Sequence, residues 1–270
     1  MDIIQELAVF NNIVYYDEPH KYYIDGEQMI STTTLLHKYK EEFNVDAIAP
    51  RSGTKWGELY SGSIPFDAAF VKDTWEWLNL HAVNEGSILH DYLENRFNNK
   101  IFPYPLQKVI DIFGYDAYEY TMPILREYAD NFHRDTLGKL IPIKPELVIG
   151  DKELGLCGMA DMLFYNTKAA EYQIWDWKTN TDLTLTSKYN QTLKGSLSHL
   201  ADSELNIYSL QLSTYRYIIE KNTNIKLGDS YLVWFNENNP NYQVIHCFDY
   251  REEVKLMLEE YNYNKKACTI

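Results

Sequence analysis

The chain has 270 residues, of which 45% are hydrophobic and 24% charged, and its formal net charge is −14. Such a balance is ordinary for a globular protein that buries a large core. The negative charge argues against a protein that coats nucleic acid nonspecifically, because such proteins carry a basic surface. Aromatic residues reach 15%, including 23 tyrosines, which suits stacking against bases as well as core packing.

Cysteine usage and hydropathy give an expectation about the compartment. Cys157, Cys247 and Cys268 show no paired spacing, which indicates free thiols in a reducing compartment. Three cysteines are too few for an iron–sulfur cluster with four cysteine ligands. The opening sequence MDIIQELAVF has no basic leader, and no apolar run approaches membrane-spanning length. We therefore expect a cytoplasmic protein with no membrane segment and no iron–sulfur cluster.

The N-terminal region is predicted to begin with a β-hairpin. Asp25-Gly26 stands between alternating apolar runs within residues 13–31, and this dipeptide is a strong hairpin-turn signal. A cluster of Ser and Thr residues that includes Ser31 and Thr33 follows the hairpin. Its members either cap the next helix, which is the interpretation we favour, or contact a phosphate group.

Helices are predicted to follow over residues 34–43, 65–81, 85–98 and 123–137. Residues 44–62 carry Arg51 and Lys55 beside a tryptophan, and a cation next to an aromatic ring suits a DNA backbone and base. A plain surface loop is the more common explanation of such a stretch, and we rank it first. Residues 99–122 are interrupted by prolines and a glycine, so they are the candidate for a helical insertion or arch over the site.

From residue 139 onward the pattern is mainly that of strands. Strands are predicted over residues 140–149, 157–165, 171–177, 229–235 and 242–248, and helices over residues 205–220 and 251–266. The polar residues 180–204 form a loop that either holds substrate or is mobile. Together the elements predict a mixed α/β fold with a central mixed β-sheet flanked by helices. We expect one domain over residues 1–270, with its core in 139–270 and a helical elaboration in 1–138.

Three acidic residues and one lysine are spaced so that neighbouring strands can bring them together. Glu146, Asp161 and Asp176 are fifteen positions apart, and Asp176 shares a strand face with Lys178 because side chains alternate. Two carboxylates in contact require a cation or a proton between them, and oxygen ligands suit Mg²⁺ or Mn²⁺. In the alternative interpretation, Asp161 and Asp176 are strand-edge residues that face solvent.

The order of these residues resembles the signature of the PD-(D/E)XK nuclease superfamily. The matching residues are Glu146, Gly158-x-x-Asp161 and Asp176-x-Lys178. Two further motifs resemble those of the RecB-like branch. They are Gly86-x-x-x-His90, which comes before the acidic residues, and Gln211-x-x-x-Tyr215, which comes after the lysine. The N-terminal segment is also similar to phage exonucleases and mitochondrial genome maintenance exonucleases, through His20-x-Tyr22, Gly26 and Ser31 to Thr33.

The resemblance implies a restriction-endonuclease-like core that cleaves DNA with Mg²⁺ or Mn²⁺ and leaves a 5′-phosphate. The metal ligands that it implies are Asp161, Asp176, the carbonyl group of Trp177, His90 and, for a second ion or a bound water, Glu146. Lys178 is expected to orient or deprotonate the attacking water and to offset negative charge. Gln211 and Tyr215 are expected to support the surroundings of Lys178 and the DNA.

Three functions stay open from the sequence alone. The first is an exonuclease that acts on DNA ends and prefers single strands, as in phage or plasmid DNA metabolism. Its partner would be a separate helicase or a replication or recombination protein, because the chain has no G-x-x-x-x-G-K loop of its own. The second is a restriction-like or structure-specific endonuclease. The third is a catalytically silent nuclease fold that acts as a binding module or an acidic DNA mimic.

Overall fold

The computed structural model describes residues 2–16, 19–98, 110–111, 114, 122–187 and 190–267. Within them the predicted fold class is confirmed, because a central mixed β-sheet is flanked by helices. The strands are β1 (Ile13–Tyr16), β2 (Lys21–Ile24), β3 (Glu27–Ser31), β4 (Leu140–Asp151), β5 (Leu156–Asn166), β6 (Glu171–Lys178), β7 (Tyr231–Trp234) and β8 (Gln243–His246). The helices are α1 (Ile3–Leu7), α2 (Thr32–His37), α3 (Val45–Tyr60), α4 (Ala68–Phe97), α5 (Met122–Thr136), α6 (Glu204–Asn222) and α7 (Arg251–Ala267). The predicted arch over 99–122 lies largely outside the described residues.

Strand β5 organises the sheet. One of its sides pairs with the antiparallel strand β4 along almost its whole length. Its other side is divided between β3, which runs parallel to it and pairs as far as Cys157, and β6, which pairs antiparallel from Met162 onward. The four residues 158–161 therefore lie where β3 has ended and the paired register of β6 has not begun. Asp161 lies at this opening, so the strand order itself places a carboxylate at a gap in the sheet.

Helices cover the sheet on both faces, and the side-chain alternation of β6 shows how. Ile174 belongs to a core shared with α2, α6 and α7, whereas Trp175 and Trp177 belong to a core shared with α4 and α5. Asp176 and Lys178 follow Ile174 at intervals of two, so they lie on the α6 side. The prediction that Asp176 and Lys178 share one face of the strand is confirmed.

Helix α3 corrects the prediction of a surface loop over residues 44–62. The helix contains Gly53 and Gly57, although a glycine weakens a helix by about 1 kcal/mol. In the structure both lie where the chain before α4 crosses α3. A Cβ atom on Gly53 would stand 2.2 Å from the carbonyl oxygen of Phe66, and one on Gly57 would stand 2.3 Å from that of Ile64. These glycines thus permit a close backbone approach, which the sequence pattern does not reveal.

Two further helix boundaries differ from the prediction. The two helices predicted over 65–81 and 85–98 are one continuous helix, α4, which begins after the N-cap residue Asp67. Asn84, which lies between the two predicted ranges and would suit an N-cap, is inside α4, because asparagine is only a weak helix breaker. Helix α2 begins after Ser31 and ends at His37, so it is shorter than the predicted 34–43.

No helix in the described ranges combines the length and hydrophobicity that a membrane crossing requires.

Candidate metal centre

The three acidic residues Glu146, Asp161 and Asp176 lie in one row across β4, β5 and β6. Met162 of β5 pairs with a residue of β4 on one side and with a residue of β6 on the other. Its neighbour Asp161 therefore stands between Glu146 of β4 and Asp176 of β6. Asp161 and Asp176 are buried, with exposed fractions of 7% and 2%, and Glu146 is half-buried. The fifteen-residue spacings therefore correspond to matched strand registers, and carboxylates that could have faced solvent are close together instead.

The backbone at Glu146 is unusual for a strand. Its φ angle is +44°, in the left-handed region that residues other than glycine rarely adopt. This conformation costs about 1–2 kcal/mol, and non-glycine residues of this kind are concentrated at functional sites. The registered pairs of β4 pass from Pro145 directly to Leu147, so Glu146 is left out of the regular ladder. The strand thus breaks its regularity at the residue that faces Asp161.

His90 and the end of β6 hold the two oxygens of Asp161 in different environments. The backbone amide of Trp177 donates a hydrogen bond to Asp161 Oδ2 at 2.7 Å. The other oxygen, Oδ1, lies 3.5 Å from His90 Nδ1. His90 Nε2 lies 3.3 Å from the Trp177 carbonyl oxygen, which requires a proton on Nε2 if the two are hydrogen-bonded. That assignment leaves the lone pair of Nδ1 facing a carboxylate, an arrangement that suits a shared cation.

Three of the implied ligands meet the geometric requirement of a metal site. One ligand atom each from His90, Glu146 and Asp161 lies within 4.8 Å of the other two. Asp176 is not part of this group, and its carboxylate forms an ion pair with Lys178. Its buried Oδ2 makes no hydrogen bond of normal geometry, although the ammonium is in contact with it. Carboxylates with one imidazole and a nearby carbonyl fit a divalent cation.

The electrostatics of the centre show excess negative charge. Burial, with the Asp161 carboxylate as second cause, raises the pKa of Glu146 to about 8. Burial and the neighbouring Asp176 raise the pKa of Asp161 well above its usual value. The pKa of His90 is lowered by burial and by the charge of Lys178, so the imidazole is neutral at pH 7, as a metal ligand must be. Both carboxyl groups therefore hold a proton more tightly than a free carboxyl group does, and a bound cation would oppose that proton.

Lys178 is the cation that faces this row. Burial alone would lower the pKa of Lys178, but the carboxylates of Asp176 and Asp161 outweigh burial and raise it, so the side chain is an ammonium. The nitrogen also lies 4.6 Å from the centre of the Tyr208 ring. Because the backbone carbonyl of Lys178 accepts a hydrogen bond from the Phe235 amide at 2.8 Å, the residue is held at both ends.

Gln211 and Tyr215 of α6 pack behind the acids. Gln211 Nε2 donates a hydrogen bond to the Tyr215 hydroxyl at 2.8 Å. A Cβ atom on Gly158 would stand 2.3 Å from the Tyr215 ring, so glycine is required at that position for the ring to lie against β5. This contact gives a physical reason for the Gly158-x-x-Asp161 pattern. At Gly86 an added Cβ would only reach an ordinary contact of 3.5 Å with Thr179, and nothing in the structure explains that glycine.

The remaining predicted residues lie outside the acidic row. Arg51 and Lys55 are exposed on α3 and line a groove of about 730 Å³, whose far wall includes Glu204 at the start of α6. Ser31 is the N-cap of α2, since its Oγ accepts a hydrogen bond from the Thr34 amide at 3.0 Å. Thr33 is exposed in the first turn of that helix.

Two tyrosines at the centre were not singled out as site residues. Tyr208 touches Lys178, and its spacing from Gln211 and Tyr215 is that of one helix face, a signal that the sequence did contain. Tyr22 of β2 is 3% exposed and is close enough to Tyr215 and Glu146 for their charges to raise its pKa, after burial. The sequence motif His20-x-Tyr22 contains this tyrosine, but its place at the centre depends on how the N-terminal hairpin joins β5.

Comparisons with known proteins give distant likenesses in structure and no match in sequence. No protein-family model matches the sequence, and no curated protein matches it. Among solved structures, the chain is similar to a protein from Eubacterium rectale described as a "putative exonuclease". The identity is 15%, the match covers 81% of this chain and 80% of that chain, and the TM-score is 0.37. A likeness at this TM-score supports no conclusion about activity, so the function has to be inferred from the site itself.

Proposed function

We propose that the protein is a metal-dependent DNA nuclease of the PD-(D/E)XK superfamily, RecB-like branch, that hydrolyses phosphodiester bonds from DNA ends. The observation that carries the proposal is the row of Glu146, Asp161 and Asp176, in which His90 lies beside Asp161 and Lys178 pairs with Asp176. A purely structural core has no need to gather three carboxylates, because each buried charge is costly. The action on ends and the preference for single strands follow from the sequence resemblance.

Each residue has a role that its surroundings support. His90, Glu146 and Asp161 would hold the cation, and Asp176 would join them once its carboxylate turned from Lys178. The cation, when bound, supplies Lewis-acid polarisation of a phosphate oxygen and makes water more acidic. The ammonium of Lys178 donates hydrogen bonds to the phosphate or the attacking water and offsets charge that develops there.

The net charge of −14 limits how the substrate is held. Part of that charge belongs to the proposed ligands themselves and would be neutralised by the cation. The backbone of the DNA strand would be held by Arg51 and Lys55, both exposed on α3 at the groove. Because the slope of affinity against salt is proportional to the number of phosphate contacts, binding by so few cations is expected to be weak and to depend only modestly on salt.

End-labelled DNA digestion tests the proposal. Single-stranded, duplex and covalently closed circular substrates are incubated with Mg²⁺, Mn²⁺ or a chelator. We expect cleavage of linear DNA with metal, faster on single strands, and none with chelator or on the circle. Lys178→Ala is expected to lower the rate at least a thousandfold while DNA binding stays near wild type, since a charge that acts in the transition state is removed. Lys144→Ala, an exposed lysine on β4, is the matched control.

The same experiment identifies the competing functions. Cleavage of the closed circle would show that the protein is an endonuclease with the same site and not an exonuclease. Wild-type turnover in Lys178→Ala would remove Lys178 from the mechanism. If no substrate is cleaved under any metal condition, the proposal of a nuclease is wrong and the silent binding module takes its place.

A further inference from the structure

The ammonium of Lys178 has two close contacts of different kinds. It forms an ion pair with Asp176 Oδ2, and it lies 4.6 Å from the centre of the Tyr208 ring. Only 15% of the Lys178 side chain is exposed, and a cation over an aromatic face is stabilised more strongly where water is excluded. The ammonium is therefore shared between a carboxylate and a ring.

Tyr208 is held in place by the chain segment directly after β6, and hydrogen bonds to β7 and the residues after it fix that segment. Its hydroxyl interacts with Asn180 and Glu204, and burial raises its pKa to about 12, so the ring remains neutral. The carbonyl of Asn180 accepts hydrogen bonds from Trp234 Nε1 at 2.6 Å and from Asn236 Nδ2 at 2.9 Å. The ring thus has a defined position relative to the end of β6, where Lys178 lies.

The two contacts of the ammonium have different consequences for Asp176. A carboxylate that is the sole partner of a buried ammonium cannot turn to a metal ion without leaving that ammonium unpaired, which is strongly unfavourable. An aromatic face keeps part of the stabilisation when the carboxylate turns away. Tyr208 is also on the same face of α6 as Gln211 and Tyr215. The same helix therefore contacts Lys178 at the end of β6 and packs against β5.

We propose that Tyr208 is a positioning residue whose ring retains the Lys178 ammonium beside the site while Asp176 turns to a divalent cation. The inference rests on the proposed metal site and extends it to a residue outside the PD-(D/E)XK pattern. It assigns the aromatic ring, and not the hydroxyl, as the functional part of Tyr208. It also states that Tyr208 acts through Lys178, so its effect requires that lysine.

A double-mutant cycle on metal affinity tests this inference without reference to nuclease activity. Mn²⁺ binding is measured by calorimetry for wild type, Tyr208→Leu, Lys178→Ala and the double variant. Tyr208→Leu is expected to weaken binding about tenfold, the magnitude of a desolvated cation–π contact. In the Lys178→Ala background the same change is expected to have no effect. Tyr208→Phe retains the ring and is expected to bind Mn²⁺ as wild type does.

Tyr217→Leu is the matched control, because Tyr217 is also a partly buried tyrosine of α6 at the edge of the same core. It is expected to leave Mn²⁺ affinity unchanged. The inference is overturned if Tyr208→Leu binds Mn²⁺ as wild type does, or if it weakens binding equally with and without Lys178. The second outcome would show a general structural effect. Failure of Mn²⁺ to bind the wild type overturns both the inference and the metal site.

Turnover separates the inference from the proposed function. At saturating metal, Tyr208→Leu is expected to lower kcat about tenfold with KM unchanged, and Tyr208→Phe to restore the wild-type kcat. If DNA is cleaved normally but the cycle shows no coupling, the inference fails and the nuclease stands. If the cycle shows coupling but no DNA is cleaved, the nuclease fails and the role of Tyr208 stands.

Discussion

The amide of Trp177 donates a hydrogen bond to Asp161 Oδ2 at 2.7 Å, which fixes the carboxylate of β5 against the end of β6. This bond leaves Asp161 Oδ1 directed at the imidazole of His90, 3.5 Å away. It also joins the two strands at the point where their regular ladder has just ended. The geometry of the candidate metal centre is thus set by the backbone, and side-chain substitutions there should change charge more than shape.

Stability of the metal-free protein is predicted to fall as pH rises because of Glu146. Its pKa is raised from 4.5 to about 8, mainly by burial. The folded state therefore holds the proton more tightly, so the stabilisation is complete below pH 4.5 and is lost as pH rises to 8. At about 1.4 kcal/mol per unit, and allowing for partial solvent exposure, we expect a loss of roughly 2–4 kcal/mol.

Urea unfolding in the presence of a chelator at pH 5 and pH 8.5 measures this effect. Glu146→Gln carries no titratable group and is expected to lose less stability between the two pH values than wild type. At pH 8.5 it is expected to be the more stable protein. An equal pH dependence in both proteins would show that Glu146 is not the group responsible.

Metal binding at pH 7 is predicted to release protons. Burial and neighbouring carboxylates raise the pKa values of Glu146 and Asp161, so the metal-free centre holds protons that a cation displaces. Calorimetry in two buffers of different ionisation enthalpy gives the number released, and affinity should rise with pH between 6 and 8. Asp161→Ala is expected to lower affinity at least tenfold. Heats that are identical in both buffers would contradict the proton exchange.

The acidic row illustrates how much of the site was present in the sequence. Equal spacings between Glu146, Asp161 and Asp176 allowed matched registers, and strand alternation placed Lys178 with the acids. Two features were not visible there. The positive φ angle of Glu146 is a local deviation that no residue pattern predicts. The contact of Tyr208 with Lys178 depends on the packing of α6 against the sheet.

The helical elaboration was less accurately predicted, for a related reason. Gly53 and Gly57 are glycines because another chain segment approaches the backbone of α3, and sequence alone cannot separate that cause from a loop. Asn84 lies within α4, where long-range packing outweighs a weak local preference. Strict side-chain alternation predicted the strand faces correctly. Positions whose residue type reflects a contact with a distant part of the chain were predicted less well.

The ion pair of Lys178 with Asp176 is predicted to matter more for stability than another pair of the same kind. Lys178→Ala leaves the buried Asp176 Oδ2 without a partner, and we expect a loss of roughly 3–5 kcal/mol. Lys221→Ala removes an ion pair from the buried Asp151, which keeps two other hydrogen bonds, so a smaller loss is expected. Adding Asp176→Asn to Lys178→Ala should recover most of the stability in urea unfolding. Equal losses in the two single variants would contradict this account.

Gly158 and Gly86 are predicted to respond oppositely to alanine. A Cβ on Gly158 would stand 2.3 Å from the Tyr215 ring, so Gly158→Ala is expected to destabilise by roughly 1–3 kcal/mol. Tyr215→Leu in the same chain should relieve part of that loss. Gly86→Ala meets only an ordinary contact inside α4 and should stabilise by about 0.5–1 kcal/mol. Thermal unfolding measures both, and tolerance of alanine at Gly158 would mean that Tyr215 is not packed as described.

DNA affinity is predicted to depend on Arg51 and Lys55 but not on an equivalent pair elsewhere. Arg251 and Lys255 have the same residue types and spacing on α7 and also line a groove. They form ion pairs with Asp249 and Glu252, whereas no carboxylate of the described residues forms an ion pair with Arg51 or Lys55. A cation that is already paired gains less from a phosphate, because it must first leave its carboxylate.

Replacing both members of each pair by alanine separates the two surfaces. Single-stranded oligonucleotide binding is measured by anisotropy with Lys178→Ala as the background, so that no cleavage occurs, over a range of salt concentrations. Loss of two phosphate contacts is expected to reduce the slope of log K against log salt by about 1.4 for the Arg51 and Lys55 variant. The Arg251 and Lys255 variant should keep the wild-type slope. If both variants change it equally, the loss reflects net charge alone, and the groove beside α3 has no particular role in holding the strand.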